Sequence, residues 1–519
     1  MSSLLPDATQ IYNFAGEGLK EDPQFRGRIK TLPELFKDAG FHTMGGGKVF
    51  HLGHHDPQSF NENFFDNVEQ NNDCNRDKQA TLIRTRSGRQ VSQACRTTAP
   101  VDSLLDFRVA NAASAALERT VMQLKEPFFM VAGFYKPHTP YHVHSRFWNQ
   151  FILYGTPDAE RTEGPQQRQS FTNPELTFNM DSDILEDWGL DPWQSKDADF
   201  RRVMRTGYLA ALAQVDEAMG RILLKLEELK LDKTTLVALV SDHGYFLGEN
   251  NLFAKHNNYE LALRVPTFFH VPWLRSPSSP ILFGDEDDDD DDDDLSSRET
   301  TSEDRKSVKT QTTTNSKKTK KSKKKAKPKP SKSKPSLPMT PPTVDREWAD
   351  YIVPHTKRSQ GFFELVDLFP TVAGLMGLPM RHAHNGTDQS KLVISTMLRG
   401  HSIDLTPPRT EALSQVNRCS LGECSRTPNR FLYAAGYTVR TDKWRYTVFV
   451  HAPGGVPLWN TSLITQELYS HVKDKETLFA YEQGTSYDTE AVNVASLNPK
   501  TCAELRRQIQ ARFGGIADV

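Results

Sequence analysis

The stretch SDHGYFLGENNLFAKH, at residues 241–256, concentrates side chains that could bind an anion or a metal ion. Asp242 and His243 are adjacent, and Lys255 follows in the same stretch. A carboxylate and an imidazole are both metal ligands, whereas a lysine ammonium binds an oxyanion as a point charge. The stretch therefore indicates a site for a charged, oxygen-rich ligand, with Asp242 as a metal ligand.

Two further segments carry side chains of the same types. Lys48 and His51 lie in GGGKVFH, where the glycines permit close backbone approach and a helical turn would bring both side chains into one pocket. His138 lies in YKPHTP, between two prolines that stiffen its loop. Taken singly, such lysines are more typical of a surface and such histidines of packed or capping positions, so the surrounding pattern has to decide.

The residues before Asp242 indicate the elements that position it. Residues 236–240, LVALV, form an unbroken apolar run, which is typical of a strand covered on both faces in a parallel sheet. A short polar turn separates this run from a long amphipathic helix predicted over residues 208–229. The apolar stripe of that helix consists of Leu212, Val215, Met219, Ile222, Leu223, Leu226 and Leu229.

A helix that leads into a buried strand is typical of an α/β fold. Ligands of such sheets collect beyond the carboxyl ends of the strands, which is where Asp242 and His243 fall. Gly244 would let the chain leave the strand sharply.

Composition places the chain among ordinary globular enzymes. It has 519 residues, of which 37% are hydrophobic and 25% charged, and no apolar run is long enough to span a bilayer. The first residues lack the basic and apolar regions of a signal peptide, so none is predicted. The formal net charge of −2 conceals a strong local separation of charge, so it says little about partners.

That separation lies in residues 276–342. An acidic run, GDEDDDDDDDDL at 284–295, is followed by fourteen Lys or Arg between Arg305 and Lys334. Like charges at this density cannot bury apolar surface, so we expect a disordered, solvated insertion. A nuclear signal or nucleic-acid tail is the alternative, but the basic block has no interleaved aromatic residues and little arginine, so nucleic acid is not the favoured partner.

Two helices are predicted after the insertion. FFELVDLFPTVAGLMGLP indicates a compact apolar helix that ends at Gly377 and Pro379. Near the C-terminus, Thr501 and Glu504 fit a capping box. Leu505, Ile509 and Phe513 would form the apolar face of that last helix.

The five cysteines do not decide between an oxidising compartment and the cytosol. Disulfides 74–95 and 419–424 are compatible with the spacing and with an oxidising compartment, where the sequons at Asn385 and Asn460 would be usable. Reduced thiols in the cytosol are the alternative, whereas a zinc site would need short C-x-x-C spacing that is missing.

Four ordered blocks of sequence resemble the sulfatase family, in the alkaline-phosphatase-like superfamily. They cover nearly the whole chain outside the charged insertion. The blocks are LPELFKDAGFHTMGGGKVFH, FFMVAGFYKPHTPY, SDHGYFLGENNLFAKHNNYELALRVPTFFHVP, and the pair GYTVRTDKWRYTVFV and ELYSHVKDKETLF.

The resemblance implies an alkaline-phosphatase-like sulfatase fold of the α/β class. It has a large, mostly parallel sheet flanked by helices and a smaller C-terminal α+β subdomain of antiparallel strands closed by a helix. We therefore expect the large domain over residues 1–275 and 343–424, the insertion over 276–342, and the small subdomain over 425–519.

The resemblance also implies roles for the candidate residues. Lys48 and His51 would flank a formylglycine nucleophile, with His51 helping to break down the sulfated intermediate. His138 would be a sulfate ligand or the acid for the leaving group, and Lys255 a sulfate clamp. Asp242, with His243 beside it, would bind the metal ion.

The family's metal ion is calcium. Because histidine suits a hard, oxygen-seeking cation poorly, the residues alone would favour zinc or a transition metal, and a place for His243 nearer the sulfate stays open.

The chain departs from the family in two respects. Tyr245 stands where the family usually carries tryptophan, a modest change in the pocket wall. The motif C-x-P-S-R or C-x-A-S-R, whose cysteine becomes formylglycine, does not occur, and CSRTP at Cys424 is only a superficial likeness. The resemblance begins at LPDATQIYNF, just after the place of that motif, so we expect the family's first strand and its paired aspartates to be missing as well.

The expected function is hydrolysis of 2-sulfate esters on iduronate residues of glycosaminoglycans, by a chain that is inactive without the nucleophile. The resemblance implies a lysosomal or secretory location, a sulfated glycosaminoglycan as partner and no membrane. A non-catalytic sulfatase-like binding protein, and a nucleic-acid-associated protein acting through the Lys-rich segment, are the alternatives.

Overall fold

A computed structural model describes residues 1–12, 29–50, 56–65, 74, 77–85, 87–88, 90–154, 197–249, 253–274, 361–397, 409–419, 429–472, 490 and 492–514. All of them belong to one compact unit that comprises Met1–Pro277 and Lys357–Val519. The charged segment 276–342 lies outside the described residues, so its disorder stays a prediction, as do the domain limits.

The described strands form small sheets rather than the single large sheet that the sequence predicts. In chain order the strands are β1 (His42–Gly47), β2 (Glu62–Phe65), β3 (Thr81–Arg84), β4 (Gln90–Thr97), β5 (Phe128–Gly133), β6 (Tyr141–His144), β7 (Val237–Val240), β8 (Phe246–Leu247), β9 (Phe253–Ala254), β10 (Thr267–His270), β11 (Glu411–Cys419), β12 (Leu432–Thr441), β13 (Trp444–His451) and β14 (Thr465–Ser470). Parallel pairing joins β1 to β2 and to β5, and β4 to β6. Antiparallel pairing joins β3 to β4, β8 to β9, and β7 to β10.

The strand before Asp242 differs from the prediction. β7 pairs antiparallel with β10, and Val240 is 38% exposed, so among the described residues this strand is not covered on both faces. An apolar run predicts a strand but not the direction of its neighbour, because the direction depends on how the distant segment at β10 returns to the sheet.

Helices cover the sheets. They are α1 (Pro6–Thr9), α2 (Leu32–Asp38), α3 (Leu105–Arg119), α4 (Ser145–Tyr154), α5 (Ala198–Glu228), α6 (Glu260–Leu263), α7 (Leu368–Leu375), α8 (Ser390–Met397) and α9 (Pro499–Phe513). A core formed by α3, α4, α5, β4 and β6 contains Phe107, Tyr141, Phe147 and Met204. Within the described residues, no helix is long and apolar enough to cross a membrane.

The helix predicted before β7 exists but begins ten residues earlier, since α5 starts at Ala198 rather than at 208. The Asp197 side chain accepts hydrogen bonds from the backbone N–H groups of Asp199, at 2.9 Å, and Phe200, at 3.3 Å. It thereby satisfies N–H groups that have no partner within the helix. Phe200 and Met204 extend the apolar stripe into this first part of the helix.

The C-terminal part is an antiparallel sheet closed by a helix, as predicted. Strands β11 to β14 pair in sequence order, and α9 packs on them through Cys502, Leu505, Ile509 and Phe513. The predicted capping box is wrong. Because Pro499 occupies the first turn, the helix starts there, and Thr501 lies inside it.

The apolar helix predicted after the insertion and one of the two predicted disulfides are present. The apolar helix after the insertion is α7, and Gly377 follows it with the positive φ of 68° that ends such helices. Cys74 and Cys95 form the predicted disulfide, and Cys419 is also disulfide-bonded. Cys424 lies outside the described residues, and Cys502 is a buried free thiol.

Candidate active site

The candidate residues follow the ends of three strands. Lys48 comes directly after β1, His138 lies in the loop after β5, and Asp242 and His243 follow β7. Because β1 and β5 are parallel and adjacent, their carboxyl ends deliver Lys48 and the His138 loop to the same edge.

Close contact between the ends of β1 and β5 fixes the position of Lys48. The backbone N–H of Lys48 donates to the carbonyl oxygen of Gly133 at 2.9 Å. Gly47 has a φ of 76°, and a Cβ at this position would collide with that same oxygen. A Cβ on Gly133 would in turn collide with the backbone of Lys48. The glycines therefore permit the close approach that the sequence predicts.

His138 forms a hydrogen-bonded pair with Lys255. Its Nδ1 lies 2.6 Å from the carbonyl oxygen of Thr139, which can only accept, so Nδ1 carries a hydrogen. Its Nε2 lies 3.1 Å from Nζ of Lys255, and an ammonium can only donate. His138 therefore presents a lone pair to Lys255, and the extra proton of the pair resides on the lysine.

His243 is held in the same form. Its Nδ1 lies 2.8 Å from the carbonyl oxygen of Gly244, and its Nε2 lies 3.6 Å from Oδ2 of Asp242. The rings of His138 and His243 have centroids 6.5 Å apart, so the two histidines line one site. Nε2 of His243 is thus available as a ligand atom.

The charges of the site act on one another. Partial removal from water would raise the pKa of Asp242, but the neighbouring His243 and the charges of Lys48 and Lys255 hold it below its usual value. Burial, and after it the charge of Lys255, lowers the pKa of His243 to about 4, while Asp242 acts in the opposite direction. The Asp242 side chain is 69% exposed, so water screens these interactions. The site contains the ammonium groups of Lys48 and Lys255 and one carboxylate, an environment that favours an anionic ligand.

The segment after Lys255 is anchored to the C-terminal sheet. Arg418 donates to the carbonyl oxygen of His256 at 3.2 Å, and the Asn258 side chain donates to that of Gly436 at 2.9 Å. These contacts connect the position of Lys255 to strands β11 and β12, so the C-terminal sheet helps to build the site.

Glu260 adds further contacts between the segment after Lys255 and the C-terminal sheet. Its carboxylate pairs with Arg440 at 3.1 Å and with Arg445, and its backbone N–H donates to Glu490 at 2.7 Å. Ligand atoms of Glu260, His471 and Glu490 lie within 4.8 Å of one another, a spacing that a metal ion could use. Because Arg445 pairs with both carboxylates, we interpret the group as an ion-pair network.

The structure brings Lys48, His138, Asp242, His243 and Lys255 to one site, while His51 lies outside the described residues. Calcium takes roughly six to eight oxygen ligands. Among the described residues, no third His, Cys, Asp or Glu joins Asp242 and His243 in a ligand group. These two residues alone do not fit a calcium ion.

Sequence reasoning missed two buried charged residues behind this site. Lys136 is 4% exposed and lies under the His138 loop, and Asp106 is 1% exposed at the start of α3. The sequence did carry a signal for Lys136, because this lysine lies within the proline-stiffened segment YKPHTP beside His138. Asp106 gave none, because an acidic residue in the first turn of a helix is common on surfaces.

Tyr245, which replaces the tryptophan usual in the family, stacks on Tyr208 with ring centroids 6.2 Å apart. Tyr208 in turn meets the buried ring of Tyr141 edge-on. The substitution therefore keeps an aromatic ring beside Gly244.

Comparison with known proteins agrees with this geometry. The family described as Sulfatase matches residues 1–288. Iduronate 2-sulfatase from Mus musculus is 25% identical over 478 residues, which cover 86% of this chain and 74% of that enzyme. Members of the family typically use a metal ion and a formylglycine.

Solved structures show the same fold. A phosphonate monoester hydrolase from Silicibacter pomeroyi matches with a TM-score of 0.57 and 14% identity, covering 99% of this chain and 84% of that one. A 2-O GAG sulfatase matches with a TM-score of 0.55 and 14% identity, covering 100% of this chain and 80% of that one. The fold is thus the α/β fold of sulfatases and alkaline phosphatases. With the family match over more than half of its residues, the chain belongs to the sulfatase family.

Proposed function

We propose that this protein handles sulfate esters of glycosaminoglycans and that its site is built for the 2-sulfate of iduronate. The observation that carries the proposal is the convergence of Lys48, His138, His243 and Lys255 at one site. The names of two relatives support the substrate class, since one is an iduronate 2-sulfatase and another is a 2-O GAG sulfatase.

The geometry suits the charge changes of sulfate-ester cleavage. When the bond between sulfur and the ester oxygen breaks, negative charge grows on the departing alkoxide, which must take up a proton. Lys255 and Lys48 provide positive charge for the sulfate oxygens. The pair of Lys255 and His138 holds a transferable proton beside the same site, so one of them would protonate the alkoxide.

The nucleophile is the missing part of this chemistry. The 519 residues contain no C-x-P-S-R or C-x-A-S-R motif, so no formylglycine can form at its usual place in the motif. We therefore assign no described residue as the nucleophile. The chain by itself would bind a sulfate ester without turning it over at a measurable rate.

A metal ion of this family would supply Lewis-acid stabilisation of a sulfate oxygen when bound. In this chain Asp242 and His243 would contribute two ligand atoms. Because calcium needs more oxygen ligands than they offer, we expect this chain to bind calcium weakly. Lys48 and Lys255 would carry most of the charge stabilisation.

We also propose a lysosomal or secretory location. The disulfide between Cys74 and Cys95, together with the disulfide-bonded Cys419, is typical of proteins from oxidising compartments. A sulfated glycosaminoglycan is then the expected partner, rather than a membrane or a nucleic acid.

Isothermal titration calorimetry can test the proposed function. The ligands would be a disaccharide with 2-sulfated iduronate and the same disaccharide without the sulfate. We expect sulfate-dependent binding that weakens about tenfold or more in Lys255→Gln, since a charge-assisted hydrogen bond contributes about 1.5–3 kcal/mol. Lys391→Gln, which changes an exposed lysine on α8, is the matched control. Equal affinity for both disaccharides would contradict the proposal.

A non-catalytic, sulfate-binding role is the second candidate. It would show the same binding without turnover even after a cysteine motif and its processing enzyme were supplied. A nucleic-acid role would instead show steeply salt-dependent polyanion binding that disappears when residues 284–336 are deleted.

A further inference from the structure

A buried lysine ammonium lies inside the loop that carries His138. Nζ of Lys136 donates to the carbonyl oxygen of Pro140 at 2.9 Å and to that of His138 at 3.3 Å. Lys136 is only 4% exposed, so it is not placed to meet a substrate directly. Both of these hydrogen bonds are directed at the backbone of the loop.

These two contacts flank a third carbonyl that matters for the site. The carbonyl oxygen of Thr139, between those of His138 and Pro140, accepts the Nδ1 hydrogen of His138 at 2.6 Å. The Thr139–Pro140 peptide group lies between these two anchored peptide groups, and the ring of Pro140 fixes one of the connecting dihedral angles, so the two hydrogen bonds restrict rotation of the Thr139 carbonyl. Lys136 therefore controls the group that orients the His138 ring and directs Nε2 at Lys255.

Asp106 holds the other side of the same loop. Its Oδ1 accepts the backbone N–H of Tyr135 at 2.7 Å, and its Oδ2 accepts that of Lys136 at 3.4 Å. Burial raises the pKa of Asp106, whereas the charge of Lys136 lowers it. Burial lowers the pKa of Lys136 to about 7 against the attraction of Asp106. Each charge is costly to bury alone, so the two belong together.

A buried pair of this kind is a weak source of stability, because desolvation offsets much of the attraction. Its contacts instead converge on one short loop, from Tyr135 to Pro140. The pair is therefore better explained by the geometry that it imposes on this loop than by the stability that it adds.

We propose that Lys136, supported by Asp106, is a positioning residue that sets the orientation of His138 at the sulfate-ester site. The role in sulfate handling rests on the proposed function. The positioning itself is a property of the loop and can be measured without any substrate.

Chemical modification of His138 provides the test. In the wild type, Nδ1 of His138 is bonded to Thr139 and Nε2 to Lys255, so diethyl pyrocarbonate should modify it slowly. In Lys136→Met we expect its modification rate, measured by peptide mass spectrometry, to rise several-fold relative to the exposed His384 in the same sample. An unchanged ratio would overturn the proposal.

Three variants separate positioning from general loss of stability. Ile509→Ala removes buried apolar surface in α9, far along the chain from the loop, and should leave the His138 ratio unchanged. Asp106→Asn with Lys136→Met removes both buried charges and the Lys136 donors but keeps an acceptor for the Tyr135 N–H, so it should fold if Lys136→Met alone does not. A raised His138 ratio in that double variant would support positioning, whereas a wild-type ratio would overturn it. Lys255→Met should also raise the ratio, because it removes the ammonium that donates to Nε2 of His138.

The sulfate titration of the wild type is a separate measurement. Absence of sulfate-dependent binding would contradict the proposed function while leaving the His138 ratio as the test of Lys136. If sulfate binds, Lys136→Met should weaken it less than Lys255→Gln does, since Lys136 acts only through His138.

Discussion

His138 and His243 are held in the same protonation form by carbonyl oxygens of their own loops. Each donates its Nδ1 hydrogen to the next residue's carbonyl, at 2.6 Å in His138 and 2.8 Å in His243. Both rings thereby present Nε2 to the site as a lone-pair atom. The proton available for a leaving group consequently resides on Lys255, and the two residues have to be considered as one acid.

The types of these residues could be predicted from sequence, but their protonation could not. Asp242 and His243 follow an apolar run, so their position at a strand end was visible, whereas the strand before Lys48 was not predicted. The proton on His138 depends on the backbone carbonyl of Thr139 and on Lys255, 117 positions away. No local pattern reports such contacts. Asp106 was missed because its hydrogen-bond partners, Tyr135 and Lys136, are also distant in sequence.

Glu467 makes stability depend on pH. It is 1% exposed on β14, and the hydroxyl of Tyr259 donates to it at 3.3 Å. Burial raises its pKa from 4.5 to about 8. The folded protein keeps this proton where the unfolded chain releases it, so the associated stability is fully present below pH 4.5 and is lost as the pH rises to about 8.

We therefore expect Glu467→Gln to lose less stability than the wild type between pH 5 and pH 8, by up to a few kcal/mol, because each pKa unit corresponds to about 1.36 kcal/mol. Urea denaturation at both pH values measures this difference. Glu504→Gln, which changes an exposed residue of α9, should behave like the wild type. Parallel pH dependence in the Glu467→Gln variant and the wild type would show that Glu467 is ionised in the folded state.

At the scale of elements, the contact between the ends of β1 and β5 determines where Lys48 lies. Gly47 and Gly40 both have positive φ, of 76° and 87°, but only Gly47 faces a carbonyl oxygen that a Cβ would strike. A substitution at Gly40 would therefore cause backbone strain alone, whereas one at Gly47 would cause backbone strain and a steric clash.

We expect Gly47→Ala to lower the free energy of unfolding by about 3 kcal/mol or more, since steric overlap adds to the strain. Gly40→Ala, with nothing within 4 Å of its Cβ, should cost about 1–2 kcal/mol from strain alone. Chemical denaturation gives both values. Similar losses in the two variants would mean that β1 and β5 do not touch at Gly47.

The elements themselves were predictable to different degrees. The apolar stripe of α5 was visible, but its true start at Ala198, after the capping residue Asp197, was overlooked even though Phe200 and Met204 continue the apolar spacing. The antiparallel partner of β7 could not be predicted, because strand direction is a tertiary property. The last helix was predicted correctly because its apolar residues repeat at helical spacing, whereas the C-terminal sheet was predicted from the family resemblance.

At the scale of the whole molecule, the charged insertion should be separable from the fold. Deleting residues 284–336 should leave the melting temperature and circular dichroism nearly unchanged, because like charges bury little surface and loop length costs entropy only slowly. A variant that deletes β9 instead should not fold, since this strand pairs with β8. Collapse of the fold after the 284–336 deletion would refute the prediction.

The missing cysteine motif has a direct consequence for activity. We expect the 519-residue chain to show no measurable turnover of a fluorogenic iduronide 2-sulfate, because losing a covalent nucleophile removes most of the rate. Mouse iduronate 2-sulfatase serves as the positive control in the same assay. Turnover by this chain at a comparable rate would show that it carries a nucleophile elsewhere.

The location of a bound sulfate tests the central claim most directly. A crystal structure of this chain with a disaccharide that carries 2-sulfated iduronate would show it. We predict the sulfate oxygens within hydrogen-bond distance, about 3 Å, of Nζ of Lys255 and next to Lys48 and His138. A disaccharide bound elsewhere, with no sulfate between Lys255 and Lys48, would contradict the account.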